Sequence, residues 1–405
     1  MRERLAGIEG VRAIAATMVL LFHTWVWGHS SRRALGVPVL DQIAPYFFLG
    51  VTVFFVLSGF LLYRPFVAAA LRDAPTPNLS RYAVGRVLRI VPAFWLCLYC
   101  WSLIVFGGLP PLKELAKNFL FLQIYWPHSK AHYWPNVTKV VIQPAWTLCF
   151  EVAFYATLPV LAFLIRRWAS GARSVDRRAA RQLVALALLV AIGLVYDALS
   201  LLFPYRLPLL LPEVLALFAI GMALAVVTEW WHLQGRPPLS RRAVVGVNVF
   251  AAAVLLAATT VADRNILPKP SSSSLPMILF QPLVALSTAA VLAGMLLSER
   301  RTLLLRFCSL RATVWVGVVS YGVYLWHGEL LVVARQFLPG PAPGHPLLAV
   351  GYWALDSVVV AALAIGVASL SWLFVERRFL ALKTRLVRVP VAAPAEATPS
   401  AAGPG

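Results

Sequence analysis

The chain has 405 residues, of which 60% are hydrophobic and 13% charged, and its formal net charge is +20. This balance excludes an ordinary soluble globular domain, because such domains carry about 25% charged residues. In a soluble chain the excess of Lys and Arg would suggest a nucleic-acid partner, but here basic loops that orient membrane helices and contact anionic lipid explain it better.

Apolar runs of about 20 residues recur along the chain with polar breaks between them, as transmembrane helices require. They predict an all-α polytopic membrane protein with about ten spans, at residues 8–27, 43–63, 87–107, 143–165, 182–203, 207–228, 243–262, 276–298, 313–334 and 347–375. The first run resembles a signal peptide, but it is long, has no small-residue cleavage site and carries ionisable residues. We therefore predict that it is a retained helix.

The Lys and Arg residues are distributed unevenly between the two sides that these spans define. One set of alternate segments holds 26 of the 36, which predicts that both termini are cytoplasmic. The longest outer loop, about 108–142, mixes apolar and aromatic residues and is predicted to lie at the interface or to cap the bundle. We predict a transmembrane domain over 1–388 and, because residues 389–405 are rich in Pro, Ala and Gly, a disordered cytoplasmic tail.

The first predicted helix carries two ionisable residues, Arg12 and His23, within an otherwise apolar run. Eleven residues of α-helix turn about 1100°, so both side chains lie on one face, about 16 Å apart along the axis. Ionisable groups at such depth usually face a bundle interior or a watery cavity. The alternative for a single intramembrane histidine is a hydrogen-bonded packing residue.

A rise of 1.5 Å per residue along each predicted helix gives the depth of its polar residues in the membrane. Three of them lie at a similar height in the outer half: His23, Glu151 and His327. Such convergence is expected of a polar cavity, although structural ion pairs between helices would also produce it. Three further acids fall in the same half and are predicted to be structural: Asp197, Glu213 and Asp356.

A second group of charged residues lies towards the cytoplasmic side. Arg86 and Arg89 stand three residues apart, so one helical face presents both, and Arg12 lies at a similar depth. Guanidinium groups bind phosphates in a planar, bidentate fashion, although ordinary topological anchoring would also place arginines here. The residues alone fit two functions, an enzyme that takes a phosphorylated donor or a proton-coupled transporter of an anionic solute.

Six sequence motifs occur in order from the first helix to the last. They are the R-x10-H of residues 12–23, GVTVFFVLSGF at 50–60, RVLRIVP at 86–92, WTLCFEVAFY at 146–155, SYGVYLWH at 320–327 and FVER at 374–377. Together they resemble the signature of the acyltransferase-3 family, the membrane O-acyltransferases that modify surface glycans and some secreted antibiotics. The stand-alone length resembles members that acylate sugars of macrolides or exopolysaccharides.

Some positions depart from the pattern of that family. Thr52 stands where many members have an acidic residue, Thr147 replaces a common Ser, and Val152 replaces a frequent second Glu. Gly328 and Glu329 follow the motif histidine where Trp-Pro is usual. No residue that we would call catalytic is lost, so these departures point to an unusual acceptor.

The resemblance implies acyl-CoA as donor and a hydroxyl of a sugar-containing acceptor as nucleophile. We assign His23 as the general base, because a histidine with a near-neutral pKa can activate an alcohol. Glu151 is expected to orient its imidazole. His327 is expected to bind the acceptor or to serve as the base itself. Ser58 lacks the G-x-S-x-G context of a nucleophile, and helix packing through small residues explains it better.

At the inner mouth, Arg86 and Arg89 would bind CoA phosphates, and Arg12 would bind donor phosphate or polarise the thioester carbonyl. Direct transfer is favoured weakly over an acyl-histidine intermediate. The competing class is a proton-coupled exporter or flippase of a glycolipid or anionic metabolite, which would move its substrate without covalent change.

No permanently bound cofactor or metal is predicted. Cys97 and Cys100 form a C-x-x-C inside an apolar helix without a second ligand pair, so they are interpreted as core residues. The expected partners are acyl-CoA, a sugar-containing acceptor and membrane lipid, not nucleic acid. The expected location is the cytoplasmic membrane of a bacterium.

Overall fold

The computed structural model describes residues 2–28, 37–106, 108, 112–125, 142–202, 210–261, 275–299, 301–338 and 346–386. Within these ranges the chain is helical and forms no strand, apart from an isolated bridge between Leu239 and Ser298. The predicted tail at 389–405 and most of the predicted outer loop lie outside the described residues.

Fifteen α-helices follow one another along the described chain. Their bounds are α1 Arg2–Trp27, α2 Pro38–Ile43, α3 Gly50–Arg72, α4 Leu79–Phe106, α5 Leu112–Phe119, α6 Trp146–Ser170, α7 Val175–Leu202, α8 Pro212–Leu233, α9 Arg241–Val261, α10 Leu275–Leu297, α11 Leu303–Cys308, α12 Arg311–Val318, α13 Ser320–Phe337, α14 Pro346–Ser371 and α15 Arg377–Leu386. Short 3₁₀-helices, Ala44–Leu49 and Gln143–Ala145, precede α3 and α6, and a π-helical turn, Trp372–Glu376, joins α14 to α15.

Nine segments of the described chain are long and apolar enough to cross a membrane, and a bent helix pair makes a tenth if it counts as one span. The prediction of an all-α polytopic membrane protein with about ten spans is thereby confirmed. The cytoplasmic placement of both termini remains a prediction.

The bent pair corresponds to the predicted span at 313–334, which is broken rather than continuous. α12 and α13 meet at 73°. Arg89 donates a hydrogen bond to the carbonyl of Val318, 3.3 Å away, and so satisfies a helix-end acceptor. On α12, Gly317 packs so closely on α1 that the carbonyl oxygen of Glu9 occupies the place of a Cβ. Contacts from α1 and α4 therefore stabilise the bend between α12 and α13.

The centre of the bundle is the crossing of α3 and α8. A Cβ on Gly59 would collide with the carbonyl of Phe218, and a Cβ on Gly221 with that of Val56, so both glycines permit direct backbone contact. The Phe154 ring stacks on that of Phe218 at 4.0 Å. The small-residue packing that we predicted at residues 58–59 is observed at Gly59.

Two segments outside the long helices pack against α4: the residues that follow α5 and the π-helical turn between α14 and α15. After α5, Phe121 packs its ring 4.5 Å from Phe94, and the Tyr125 hydroxyl donates to the carbonyl of Cys149 at 3.3 Å. This described part of the predicted outer loop therefore packs against α4 and α6, and its capping of the bundle remains a prediction. Nearer the beginning of α4, the π-helical turn directs Glu376 towards Arg89, and the Glu376 side chain is fully buried.

Candidate active site

A cavity opens between α1, α3, α4, α6 and α13. Along α3 its lining runs from Val51 to Leu62, which corresponds to about 16 Å of helix. The polar side chains that line it are Arg12, Ser58, Arg86, Arg89, Thr147, Glu151, Tyr155, Tyr321 and Tyr324. The cavity therefore contains four of the six predicted site residues, all except the two histidines.

The two histidines form a direct pair. The Nε2 atom of His327 lies 2.8 Å from Nδ1 of His23, although 304 residues separate them in sequence. Both side chains are buried, with exposed fractions of 1% and 7%. Trp27, one turn after His23 on α1, stacks its ring on the His23 imidazole at 4.2 Å. Helix α1 thus supplies both the His23 imidazole and the Trp27 ring that restricts the orientation of this imidazole.

Hydrogen bonding assigns the proton positions in this pair. Nδ1 of His327 lies 3.1 Å from the carbonyl oxygen of Val323, which can only accept, so His327 carries its proton on Nδ1. Its Nε2 is then a bare acceptor, and the hydrogen bond to it must be donated by Nδ1 of His23. In the neutral pair the remaining lone pair is on Nε2 of His23. That atom is the one able to accept a proton.

Tyr324 links the histidine pair to the cavity. Its side chain lines the cavity, and its ring lies 6.0 Å from that of His327, one turn further along α13. Its hydroxyl contacts Thr147 and the carbonyl of Pro144, both at 2.6 Å. Because that carbonyl accepts the tyrosine proton, the Thr147 hydroxyl donates to Tyr324. This ordered pair sits between the cavity and the imidazoles.

Glu151 lies in the middle of the cavity and does not bond to either histidine. Its carboxylate accepts hydrogen bonds from Tyr155 at 2.7 Å and from Ser58 at 3.4 Å. The expectation that Glu151 orients the His23 imidazole therefore has no support in this geometry, and His327 occupies that place. Glu151 and His23 differ in their position around the bundle axis, and depth in the membrane alone does not specify that position.

Arg86 and Arg89 both line the cavity, but their surroundings differ. Arg89 lies 3.6 Å from the carboxylate of Glu376 and stacks over the Trp372 ring at 5.1 Å. It also donates a hydrogen bond to the Val318 carbonyl at the end of α12. Arg86 has no ion pair or hydrogen bond to its side chain within the described part of the chain. The structure therefore leaves Arg86 available to a ligand, whereas Arg89 is held by the protein.

Arg12 is intermediate between these two arginines. Its guanidinium lies 3.6 Å from Glu9, one turn earlier on α1, and both side chains are partly exposed, with Arg12 lining the cavity. A pair of this kind at i,i+3 contributes little stability, about 0.2–0.5 kcal/mol. Arg12 can therefore exchange this partner for an anionic ligand at small cost.

Sequence reasoning missed four residues that shape the site: Trp27, Tyr155, Tyr324 and Glu376. The last three stand inside the quoted motifs, so the signal was present, but their partners are on other helices. Of the acids expected to be structural, Asp356 is fully buried, and the neighbouring Ser357 contacts Thr24 of α1 at 2.8 Å.

Comparison with known proteins decides which family this site belongs to. The acyltransferase-3 family model, described as an acyltransferase domain, matches residues 5–376. The chain belongs to the acyltransferase-3 family. It is accordingly an integral membrane O-acyltransferase, and membership of this family favours group transfer over the exporter that composition left open. The six motifs quoted above all begin and end inside or at the edge of the matched range.

Individual relatives support the same assignment. The chain is 27% identical to nodulation protein 10 of Rhizobium leguminosarum, over 93% of this chain and 94% of that one, and 28% identical to the exopolysaccharide production protein ExoZ of Rhizobium meliloti, over 71% and 78%. It is 21% identical to the peptidoglycan O-acetyltransferase OatA of Listeria monocytogenes, over 83% of this chain but only 51% of OatA. No solved structure gives a significant match.

Proposed function

We propose that this acyltransferase moves an acyl group from acyl-CoA to a hydroxyl of a sugar-containing acceptor at a bacterial cytoplasmic membrane. The names of its relatives refer to exopolysaccharide production and to peptidoglycan O-acetylation, which supports a glycan or glycolipid acceptor. The observation that carries the proposal is the buried pair of His23 and His327 next to Tyr324, which lines a cavity that three arginines also line: Arg12, Arg86 and Arg89.

The donor enters from the arginine end. An acyl-CoA carries its phosphates at one end and its thioester at the other, joined by a long flexible arm. Arg86, which has no protein partner among the described residues, binds phosphate, and the arm follows the apolar wall that α3 provides over about 16 Å. The thioester then lies towards Tyr324 and the histidine pair. With both termini in the cytoplasm, the arginine end faces the compartment that contains CoA.

His23 acts as the general base through Nε2. It removes the proton of the acceptor hydroxyl as the oxygen attacks the thioester carbonyl carbon, so that a C–O bond forms and the C–S bond breaks. The proton is then returned to the departing thiolate, which leaves as CoA-SH. The products are the ester and free CoA, and the histidine ends in its starting state.

His327 is a positioning residue in this scheme. While His23 carries the extra proton, its Nδ1–H still donates to the bare Nε2 of His327, which stabilises the cation and fixes the ring plane. The hydrogen bond from His327 to the Val323 carbonyl keeps that acceptor in the correct tautomer. His327 therefore has the role that was expected of Glu151.

Labelled acetyl-CoA, incubated with purified protein in lipid vesicles and a glycan extract, tests the proposal. Label in an alkali-labile ester, formed only when acyl-CoA is the donor, would support it. Ester formation that depends on a different acyl donor and is unaffected by excess acyl-CoA would refute the donor assignment. Label in a product without sugar would refute the acceptor assignment.

A further inference from the structure

Three cations converge where α15 packs against the beginning of α4. Lys383 of α15 lies within electrostatic range of both Arg81 and Arg86 of α4. Like charges repel, so such a cluster is unfavourable unless an anion or solvent compensates it. Within the described ranges, none of the three side chains forms an ion pair with a carboxylate.

The backbone is shaped to admit the lysine. Gly85 of α4 is buried, and a Cβ at this position would stand 2.6 Å from Nζ of Lys383 and 2.9 Å from its Cε. The absence of a side chain therefore lets the ammonium rest against the helix between Arg81 and Arg86. Two other arginines near helix ends do have carboxylate partners: Arg72 pairs with Glu229, and Arg166 with Asp73.

The cluster is continuous with the cavity but extends beyond it. Arg86 lines the cavity, whereas Arg81 and Lys383 do not. A ligand bound at Arg86 therefore has two further cations close by, outside the cavity lining. Guanidinium and ammonium groups together are the donors that recognise phosphate esters.

We propose that Arg81 and Lys383 form an outer phosphate site that holds the terminal ribose phosphate of the nucleotide thioester, while Arg86 holds its diphosphate. This rests on the proposed donor. The order follows from chemistry, because the diphosphate is nearer the acyl arm than the ribose phosphate is. An anionic lipid headgroup also carries a phosphate and is the alternative ligand for this site. The experiment below distinguishes the lipid phosphate from the ribose phosphate.

Three variants define the test. Lys383→Gln removes the charge, and Gly85→Ala displaces the ammonium while keeping its charge, because the clashing atoms are the end of a flexible side chain. Arg385→Gln is the matched control, since it removes one charge from an exposed position of the same helix. Each is compared with wild type in vesicles of phosphatidylcholine alone and of phosphatidylcholine with phosphatidylglycerol.

The measurement is KM for acetyl-CoA and for acetyl-dephospho-CoA, which lacks the ribose phosphate. Lys383→Gln is expected to raise KM for acetyl-CoA about tenfold, as loss of one charge-assisted contact would. It should leave KM for the dephospho donor unchanged in both vesicles, and Gly85→Ala should act in the same direction. Arg385→Gln should change neither KM.

Equal effects on the two donors, or no effect on either, would overturn the outer site. An effect seen only with phosphatidylglycerol would assign the cluster to lipid and would also overturn it. If the wild-type protein uses neither donor, the proposed function itself fails. If the wild-type protein uses both donors and Lys383→Gln has the same KM values as wild type, only the outer phosphate site fails.

Discussion

Replacing His327 by Gln or by Asn separates its two hydrogen bonds. The amide of Gln reaches about as far as Nε2 of histidine and can present an acceptor to Nδ1 of His23. The amide of Asn reaches about as far as Nδ1 and can only keep the bond to the Val323 carbonyl. The two variants are therefore matched in chemistry and differ in which contact survives.

The size of the effect follows from the 2.8 Å contact between the two imidazoles. Once His23 is protonated this hydrogen bond is charge-assisted and worth about 1.5–3 kcal/mol, and each 1.36 kcal/mol changes a rate tenfold. His327→Asn should therefore lower kcat by about 10- to 150-fold. KM for acetyl-CoA should not change, because the contact strengthens only as the proton moves.

The assay is the initial rate of label transfer from acetyl-CoA by purified protein in vesicles, with donor concentration varied. We expect His327→Gln to retain several-fold more of the wild-type kcat than His327→Asn. A wild-type kcat in His327→Asn, or equal losses in both variants with unchanged melting temperatures, would refute the positioning role.

Three further predictions concern stability and donor binding. Arg89→Ala should lower the free energy of unfolding by about 3–5 kcal/mol, because it leaves the buried Glu376 carboxylate unpaired, and a thermal shift in detergent measures this. Arg86→Ala should keep the wild-type melting temperature but raise KM for acetyl-CoA about tenfold, as loss of a phosphate contact would; an unchanged KM would return it to a topological role. Gly59→Ala should prevent stable folding, since its Cβ would meet a backbone carbonyl of α8, whereas Gly366→Ala, which has open space, should fold normally; equal expression of both would contradict the packing argument.

The architecture was predictable because the bilayer imposes a simple rule on sequence. A span needs about 20 apolar residues, so hydropathy alone located the membrane spans, whereas short helices such as α5 and α11 were not predicted. The break between α12 and α13 was not predictable, because it depends on Arg89 and Glu9, which are far away in sequence. No proline stands between Arg311 and Phe337 to mark it, and Gly317 alone does not distinguish a break from close helix packing.

The candidate site was predictable in its members but not in their pairing. Depth arithmetic placed His23, Glu151 and His327 at one height, yet height along the membrane normal leaves the direction around the bundle undetermined. The histidines meet, while Glu151 turns towards Tyr155. Likewise, spacing put Arg86 and Arg89 on one face of α4, but only the inward turn of Glu376 shows that one of them is already paired.

The most direct test of the account is the transfer rate of a single variant, His23→Ala, against a matched histidine control. His232 lies at the end of α8, where its ring contacts the Thr228 carbonyl, and it does not line the cavity. We expect His23→Ala to abolish ester formation from acetyl-CoA while the wild-type affinity for CoA is kept, and His232→Ala to transfer label at the wild-type rate. Ester formation by His23→Ala at a rate close to wild type would contradict the assignment of His23 as the base.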